Sequence, residues 1–198
     1  MVGRSPTGNY PGAANPEENP LSEQIETREG WLTDDDITTI RARLPIVYVE
    51  AIPVRINDAG EVVQIGLLLR AMPDGTISRA IVSGRVLWGE RVREALVRHI
   101  EKDLGSLALP KIPPSPTPFT LAEYFPEPDR TGFHDPRQHA VSLVYLVPVE
   151  GICEPSQESL DITWITPAEA DTPEVKAEMT SGQDRLLRLA LAHAGCLP

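Results

Sequence analysis

Cysteine, basic side chains and long apolar runs are all scarce in this sequence, and each shortage excludes a class of protein. The two cysteines, Cys153 and Cys196, have no motif spacing, so we expect free thiols in a reducing cytoplasm rather than a disulfide framework. Eighteen basic residues against 29 acidic ones give a net charge of −11. Nucleic acids and anionic membranes attract proteins through a positive field, so we expect neither as a partner.

Apolar residues are nowhere gathered into a targeting or membrane segment. No run approaches the roughly 20 apolar residues that a membrane-spanning helix needs. Residues 1–20 also lack the apolar stretch that is typical of a signal peptide. Both observations favour a cytoplasmic protein.

Proline, by contrast, is in excess. The chain has 20 prolines among 198 residues, which predicts long loops or flexible segments. Residues 1–30 combine Pro, Gly, Asn and Glu with few large apolar residues, and we interpret them as a flexible N-terminal arm. A second Pro-rich segment, at about 106–138, is predicted to be an irregular loop within a single domain that spans residues 31–198.

Alternating and helical apolar patterns predict the elements of that domain. Thr33 can cap a first helix that ends before Pro45, and apolar residues at helical intervals predict helices over 90–104 and 181–195. Strand patterns bounded by turn signals are found in five segments: 46–56, 62–71, 76–83, 139–151 and 160–170, the last of which is a strand with a turn. Elements in this order predict an α/β (α+β) sandwich with a mixed sheet.

Residues 83–106, SGRVLWGERVREALVRHIEKDLGS, resemble the Nudix box, a signature of hydrolases that act on nucleoside diphosphates linked to another group. The box reads G, five residues, E, seven residues, R-E-U-x-E-E-x-G-U, where U is a bulky aliphatic residue. The matching residues are Gly84, Glu90, Arg98, Ile100, Asp103 and Gly105. HDPRQHAVSLVYLVP and LDITWITPAEAD are similar to later strands of the family, so the resemblance covers roughly residues 45–195.

This resemblance implies a Nudix-type α/β/α sandwich, pyrophosphohydrolase activity on a nucleotide-type small molecule, and a Mg²⁺ or Mn²⁺ cofactor. Family members commonly form dimers, so it also allows a homodimer. By the same resemblance, Glu90 and Arg98 are the catalytic residues of the box that brace the loop and the helix. The carbonyl of Ser83 and the carboxylate of Asp103 would bind the metal.

Two positions depart from the family pattern, because His99 and Lys102 stand where the box has glutamates. Residues 99 and 103 share a helix face, so the metal site would present an imidazole, an ammonium and one carboxylate. Hard cations bind oxygen ligands, and the charge of Lys102 would repel them. We therefore predict that standard metal-dependent hydrolysis is impaired. The alternatives are a catalytically silent domain that binds a nucleotide or a protein partner, and an interaction module that keeps only the fold.

The sequence allows two interpretations of the role of several side chains. His99 and Asp103 could hold Zn²⁺ or Mn²⁺ if His134 or His139 supplied a third ligand, or they could form a structural pair. Four acids of the long loop are candidate general bases or solvated side chains: Glu123, Glu127, Asp129 and Asp135.

The predicted substrate-binding residues are Lys102, Arg85 and Trp88. The two basic side chains could hold phosphate, and the indole could stack on a base; the alternatives are solvated helix charges and a ring that plugs its loop. Tyr124 and Phe133 could line a nucleotide pocket or anchor the Pro-rich loop.

Overall fold

The computed structural model of the protein describes residues 32–72, 75–155 and 160–197. The predicted arm at 1–30 lies outside them. None of the helices in the described residues has the length and apolar character that crossing a membrane requires. Cys153 and Cys196 are free thiols there, as the sequence predicts.

The described residues contain seven strands and five helices. The strands are β1 (Ile46–Ile56), β2 (Val62–Ala71), β3 (Ile77–Ala80), β4 (Val82–Arg85), β5 (Thr120–Tyr124), β6 (Ala140–Pro148) and β7 (Asp161–Ile165). The helices are α1 (Asp34–Arg41), α2 (Val92–Leu104), α3 (Pro167–Ala170), α4 (Pro173–Ala177) and α5 (Gln183–His193). The sequence predictions for β1, β2, α2, β6 and α5 are confirmed, and Thr33 caps α1 through a reciprocal capping box with Asp36.

The predicted strand at 76–83 is in fact two strands. Ala80 is paired with Leu68 of β2, whereas Val82 is paired with Ala51 of β1. The chain therefore changes partner at Ile81, where β1 and β2 separate, and alternation of side chains alone could not reveal that change.

The segment at 106–138, predicted to be irregular, contains β5, so the prediction is wrong for Thr120–Tyr124. Leu121 and Glu123 are exposed while Ala122 and Tyr124 are buried, which is the alternation of a half-buried strand. This strand pairs antiparallel with β6. Prolines on both sides conceal a pattern that is only five residues long.

The sheet is mixed and β1 is its central strand. One edge of β1 runs parallel to β6 over Ile46–Val54 of β1, and β6 continues to β5. The other edge of β1 is shared, because its first half pairs with β4 and its last residues pair with β2. Strand β2 then pairs with β3 and β7. The sheet therefore forks between β4 and β2.

Helices cover both faces of this sheet. Val49 and Ala51 of β1 pack in one apolar cluster with Leu96 and Ile100 of α2. Ile52 and Val54, which alternate with them, pack in a second cluster with α5, whose buried residues are Leu186, Leu187, Ala190 and Leu191. The predicted α/β/α sandwich with a mixed sheet is confirmed.

Candidate functional site

Glu90 and Arg98 hold the loop that joins β4 to α2. Arg98 Nε and Nη2 donate to the two carboxylate oxygens of Glu90 at 2.6 and 2.8 Å, and Nη2 also donates to the carbonyl of Arg85 at 3.0 Å. The backbone N–H of Leu87 donates to Glu90 Oε2 at 2.9 Å. Hydrogen bonds from Arg98 keep the pKa of Glu90 below its usual value, against the opposing effect of burial. The pair thus fixes both ends of the loop to the helix.

His99 is buried, and its side chain packs between α2 and β4. Its ring lies where a Cβ atom at Gly84 would be, so only glycine leaves room for it there. Nε2 donates to the Arg85 carbonyl at 3.0 Å, which places the ring proton on that nitrogen. Burial lowers the pKa of His99, and the hydrogen bond to the carbonyl opposes that effect. A neutral imidazole held in this way is a packing element between α2 and β4.

Asp103, the remaining acid at the metal positions of the box, faces a guanidinium. Asp103 is 2% exposed, and its Oδ2 atom lies 3.4 Å from Arg70 Nη2. Arg70 is on β2, across the fork of the sheet from β4. The sequence offered His99 as a structural partner of this carboxylate, and nothing in the spacing of residues 70 and 103 indicates the contact with Arg70.

The arrangement does not fit Mg²⁺ or Mn²⁺. Such cations need several oxygen ligands, each of which also offsets charge. At the box positions stand the neutral ring of His99, the exposed ammonium of Lys102 and a carboxylate that is paired with Arg70. The carbonyl of Ser83, next to Gly84 on β4, stays a prediction as a metal ligand, and the Ser83 side chain points to the opposite face of the sheet. No group of three or more His, Cys, Asp or Glu side chains that could hold a metal occurs in the described residues.

The two histidines that could have completed a zinc site, His134 and His139, make their contacts around Pro126 and Phe125. His134 Nε2 lies 3.1 Å from the Pro126 carbonyl, and His139 stacks on Phe125 with ring centroids 4.4 Å apart. The structure therefore brings neither of them into a metal-binding group with His99 and Asp103.

A polar pocket of about 290 Å³ lies on the face of the sheet opposite to α2, and we call it the Glu50 pocket after the acid at its floor. Glu50 pairs with Ser83 across β1 and β4, and the neighbouring strand β6 adds Ser142. The loop residues 134–138 form one wall, and Ser181 and Gln183 form another.

Glu50 is 2% exposed and is held by hydrogen bonds. The Tyr124 hydroxyl donates to its carboxyl oxygens, at 2.9 Å to Oε1 and 3.1 Å to Oε2, and Gln183 Nε2 lies 3.3 Å from Oε1. Burial raises the pKa of Glu50, and hydrogen bonding with Ser142, Tyr124 and Gln183 opposes that rise. Sequence reasoning missed this residue, although one signal was present, a single acid inside the strand IVYVEAIPVRI.

The remaining predicted residues are distributed around the motif. Trp88 is 76% exposed at the tip of the loop, and Lys102 is exposed on α2. Arg85 pairs with Tyr48, which lines the Glu50 pocket, so its side chain is on the pocket side of the sheet. Lys102, Arg85 and Trp88 therefore do not form one compact binding surface.

The long loop contributes Tyr124 and Asp135 to the Glu50 pocket. Phe133 packs on Tyr124 at 5.5 Å between ring centroids, so these rings both anchor the loop and build the pocket wall. Among the four candidate bases, Asp135 is the one that lines the pocket, and the other three acids are exposed: Glu123, Glu127 and Asp129. Although burial opposes it, hydrogen bonds from Arg137 hold the pKa of Asp135 below its usual value.

Comparison with known proteins gives extensive sequence matches. A family model described as a domain of unknown function (DUF4916) matches residues 27–196. Among curated proteins, none matches the chain. A solved structure described as a possible asymmetric diadenosine tetraphosphate (Ap4A) hydrolase from Jonesia denitrificans DSM 20603 is 62% identical. It has a TM-score of 0.77 and the match covers 79% of this chain and 98% of that one.

More distant solved structures share the fold alone. The MutT protein from Methanosarcina mazei Go1 is 16% identical with a TM-score of 0.53, and the match covers 75% of this chain and 96% of that one. The Nudix domain of NrtR from Shewanella oneidensis, solved with ADP ribose, is 14% identical with a TM-score of 0.55. That match covers 82% of this chain and 99% of the other.

Proposed function

This chain belongs to the DUF4916 family and has the Nudix hydrolase fold, and we propose that it binds a nucleoside-diphosphate-linked compound while standard metal-dependent hydrolysis is impaired. The observation that carries the proposal is the ion pair between Asp103 and Arg70. It places a fixed positive charge beside the carboxylate that the Nudix box would offer to a metal.

Charge explains why this pair opposes metal binding. Two unit positive charges 5 Å apart repel by about 3 kcal/mol at an effective dielectric constant near 20. A divalent cation beside Asp103 would be repelled by the guanidinium of Arg70, and Lys102 adds a second positive charge on the same helix as Asp103. His99 cannot offset this positive charge, because its imidazole carries no negative charge and is hydrogen-bonded to the Arg85 carbonyl.

The choice of ligand class rests on two kinds of support. The relative from Jonesia denitrificans, 62% identical, is described as a possible hydrolase of diadenosine tetraphosphate, and the NrtR domain with the same fold was solved with ADP ribose. The Glu50 pocket is polar and close in volume to the smaller ligand sites of proteins, which begin near 300 Å³. Both favour a nucleotide-type small molecule.

Of the three predicted ligand-binding residues, Arg85 lies on the pocket side of the sheet and would pair with a phosphate of a ligand in the Glu50 pocket. Lys102 lies on α2, across the sheet from that pocket, so it would act as a point charge only for a part of the ligand that extends beyond the sheet. Trp88 is exposed in the motif loop and can close over a bound ring. Glu90 and Arg98 would keep that loop in place.

Calorimetric titration tests the proposal. ADP-ribose and diadenosine tetraphosphate should bind the protein in EDTA, and Mn²⁺ alone should give no heat of binding at millimolar concentration. A triple variant, Arg70→Met with His99→Glu and Lys102→Glu, restores the family's charges; it should take up Mn²⁺ and begin to hydrolyse the bound compound.

Two results would contradict the proposal. One is metal-dependent turnover by the unmodified protein that Asp103→Asn abolishes and Glu101→Gln, an exposed acid on the same helix, leaves intact. That result would favour an active hydrolase in which Asp135 is the candidate base of the pocket. The other is no binding of either compound, which would favour the interaction module.

A further inference from the structure

The side-chain amide of Gln138 has one fixed orientation in the wall of the Glu50 pocket. Gln138 is 2% exposed. Its Oε1 accepts from Arg41 Nε at 2.8 Å, and its Nε2 donates to Asp135 Oδ2 at 2.8 Å. Because a guanidinium has only donors and an ionised carboxylate has only acceptors, the oxygen and the nitrogen of this amide cannot exchange places. The nitrogen therefore also faces the Tyr48 hydroxyl, at 2.9 Å.

The Tyr48 hydroxyl has its own hydrogen left to donate. Since Gln138 Nε2 supplies the hydrogen of their bond, the phenol oxygen is the acceptor. Within the part of the chain that the structure describes, the phenol hydrogen has no acceptor. Tyr48 is half-buried, and it lines the Glu50 pocket together with Gln138 and Asp135. The hydroxyl is thus a donor at the pocket whose oxygen is held by a buried side chain.

The charged groups of the pocket are occupied by one another. Among the described residues that line it, Arg137 is the one with a permanent positive charge, and its Nε and Nη2 donate to the two carboxylate oxygens of Asp135 at 2.8 and 2.9 Å. The carboxyl group of Glu50 is bonded to Tyr124 and Gln183. A phosphate in the pocket would lie beside two carboxyl groups, and the one cation there already pairs with an acid. The lining therefore favours an uncharged group over a phosphate.

Hydroxyl groups are what the pocket offers to such a group. Tyr48 on β1, Ser83 on β4 and Ser181 before α5 line it from three elements of the fold. The volume of about 290 Å³ is at the lower limit of small-molecule sites, so a part of a nucleotide fits and a whole dinucleotide does not. Ribose is compact and uncharged, and each of its hydroxyls can accept one hydrogen bond while it donates another. Ribose therefore matches the pocket in size, charge and hydrogen bonding.

From this geometry we propose that the Glu50 pocket holds the ribose of the nucleoside, and that the Tyr48 hydroxyl donates a hydrogen bond to one of the ribose hydroxyls. The inference rests on the proposed function, because it identifies the part of the nucleotide that enters the pocket. Tyr48 is then a ligand-binding residue. Gln138 is a positioning residue, which acts through the phenol oxygen and leaves the phenol hydrogen for the sugar.

Calorimetric titration with ADP-ribose in EDTA tests the role of Tyr48. Tyr48→Phe keeps the ring and removes the hydroxyl, so it should weaken binding about 10-fold, which is the scale of one hydrogen bond whose partner is left unpaired. Tyr145→Phe is the matched control, because Tyr145 is a buried tyrosine of β6 that packs in the cluster with α2, on the other face of the sheet. Binding by Tyr145→Phe should be unchanged. If Tyr48→Phe binds ADP-ribose as tightly as the control does, the assignment of Tyr48 is wrong while the proposed function stands.

An altered ligand identifies the group that Tyr48 binds. The probe is an ADP-ribose analogue whose adenosine ribose lacks both the 2′ and the 3′ hydroxyl. It should bind the unmodified protein about 10-fold more weakly than ADP-ribose does, and Tyr48→Phe should weaken its binding no further. If Tyr48→Phe weakens the binding of both compounds equally, Tyr48 contacts another part of the ligand and the ribose assignment is overturned.

Gln138→Glu tests how the hydroxyl is positioned. A carboxylate at position 138 can only accept, so Tyr48 would donate to it and would no longer offer its hydrogen to the ligand. Gln138→Glu should weaken binding of ADP-ribose about as much as Tyr48→Phe does, and it should have little further effect in the Tyr48→Phe background. Additive losses would overturn the positioning role of Gln138.

Two further measurements separate the possible failures. Thermal unfolding of each variant distinguishes loss of binding from loss of the fold, and the altered ligand tests the ribose assignment on the unmodified protein, in which no side chain is changed. If the unmodified protein binds ADP-ribose and the altered ligand equally well, the ribose assignment alone is wrong. If it binds neither ADP-ribose nor diadenosine tetraphosphate, both proposals are overturned.

Discussion

The imidazole ring of His99 occupies the space in which a side chain at residue 84 would begin. Gly84 on β4 and His99 on α2 are therefore complementary, and the motif glycine is required here for room rather than for an unusual backbone angle. His99, which departs from the Nudix pattern, is thus packed against Gly84, which matches the pattern. The helix keeps its position on the sheet through this contact, even though the residue at 99 is not the carboxylate of the box.

Gly84→Ala should destabilise the fold by about 2 kcal/mol, because a methyl group would overlap the buried ring and force a shift of α2 or β4. In a His99→Ala background the same substitution should cost little, since the ring is gone. Urea unfolding of the two single variants and the double variant measures this coupling. An equal cost of Gly84→Ala in both backgrounds would show that the overlap is relieved elsewhere and that the contact does not fix the helix.

The ion pair of Glu90 with Arg98 should make stability depend on pH. The folded-state pKa of Glu90 is lowered, chiefly by hydrogen bonds from Arg98. An acid with a lowered folded pKa stabilises the fold fully above its unfolded pKa, about 4.3, and loses that contribution as the pH falls through the folded value. Arg98→Met should therefore cost about 2 kcal/mol at pH 7 and clearly less at pH 3, as read from urea midpoints at both pH values.

The matched control for Arg98→Met is Arg91→Met. Arg91 pairs with Glu94 at 3.1 Å, but both side chains are largely exposed, and such pairs contribute little. We expect no measurable change at either pH. A cost of Arg98→Met that stays constant between pH 7 and pH 3 would mean that the arginine acts through its packing and its bond to the Arg85 carbonyl alone.

Most of the fold could be predicted from the sequence, because the patterns that decide it are local. Strand β1 and the apolar stripe of α2 depend on neighbours within a few positions, and both were located correctly. The box also predicted the bond between Glu90 and Arg98, which are eight residues apart. Strand β5 was missed because its five residues lie among prolines, which usually indicate loops.

The partners of the site residues could not be predicted, because they are distant in the sequence. Glu50 meets Tyr124 and Gln183, which are 74 and 133 positions away. Arg70 of β2 meets Asp103 of α2, which is 33 positions away. No periodic pattern encodes such contacts, since they depend on which strand lies beside which. A single acid within an apolar strand was the one available signal, and it marks a position without identifying its partners.

Arg55 is predicted to stabilise the fold by connecting β1 to the segment that follows β6. Its guanidinium donates to the carbonyls of Val149 and Gly151, and lies 4.5 Å from the centre of the Trp164 ring. Arg55→Lys keeps the charge but loses the planar fork that reaches both carbonyls, so it should cost about 2 kcal/mol in the free energy of unfolding. Arg43→Lys, in the exposed turn after α1, is the control and should have no measurable effect. If Lys at position 55 were as stabilising as Arg, charge alone would account for the link.

The ion pair of Arg70 with Asp103 should show strong coupling in a double-mutant cycle. We expect Arg70→Met and Asp103→Asn together to cost about 1–3 kcal/mol less than the sum of the two single variants, because Asp103 is 2% exposed and its charge is poorly solvated. The coupling should persist in 1 M NaCl, since salt screens buried pairs weakly. Lys111 and Glu150 form the control pair, at 2.8 Å with side chains 57% and 58% exposed, and their coupling should be near zero and vanish in salt. Additive costs for Arg70→Met and Asp103→Asn would mean that the guanidinium does not hold the carboxylate. The obstacle to a metal would then lie in His99 and Lys102, and the double variant His99→Glu with Lys102→Glu should take up Mn²⁺ with Arg70 still in place.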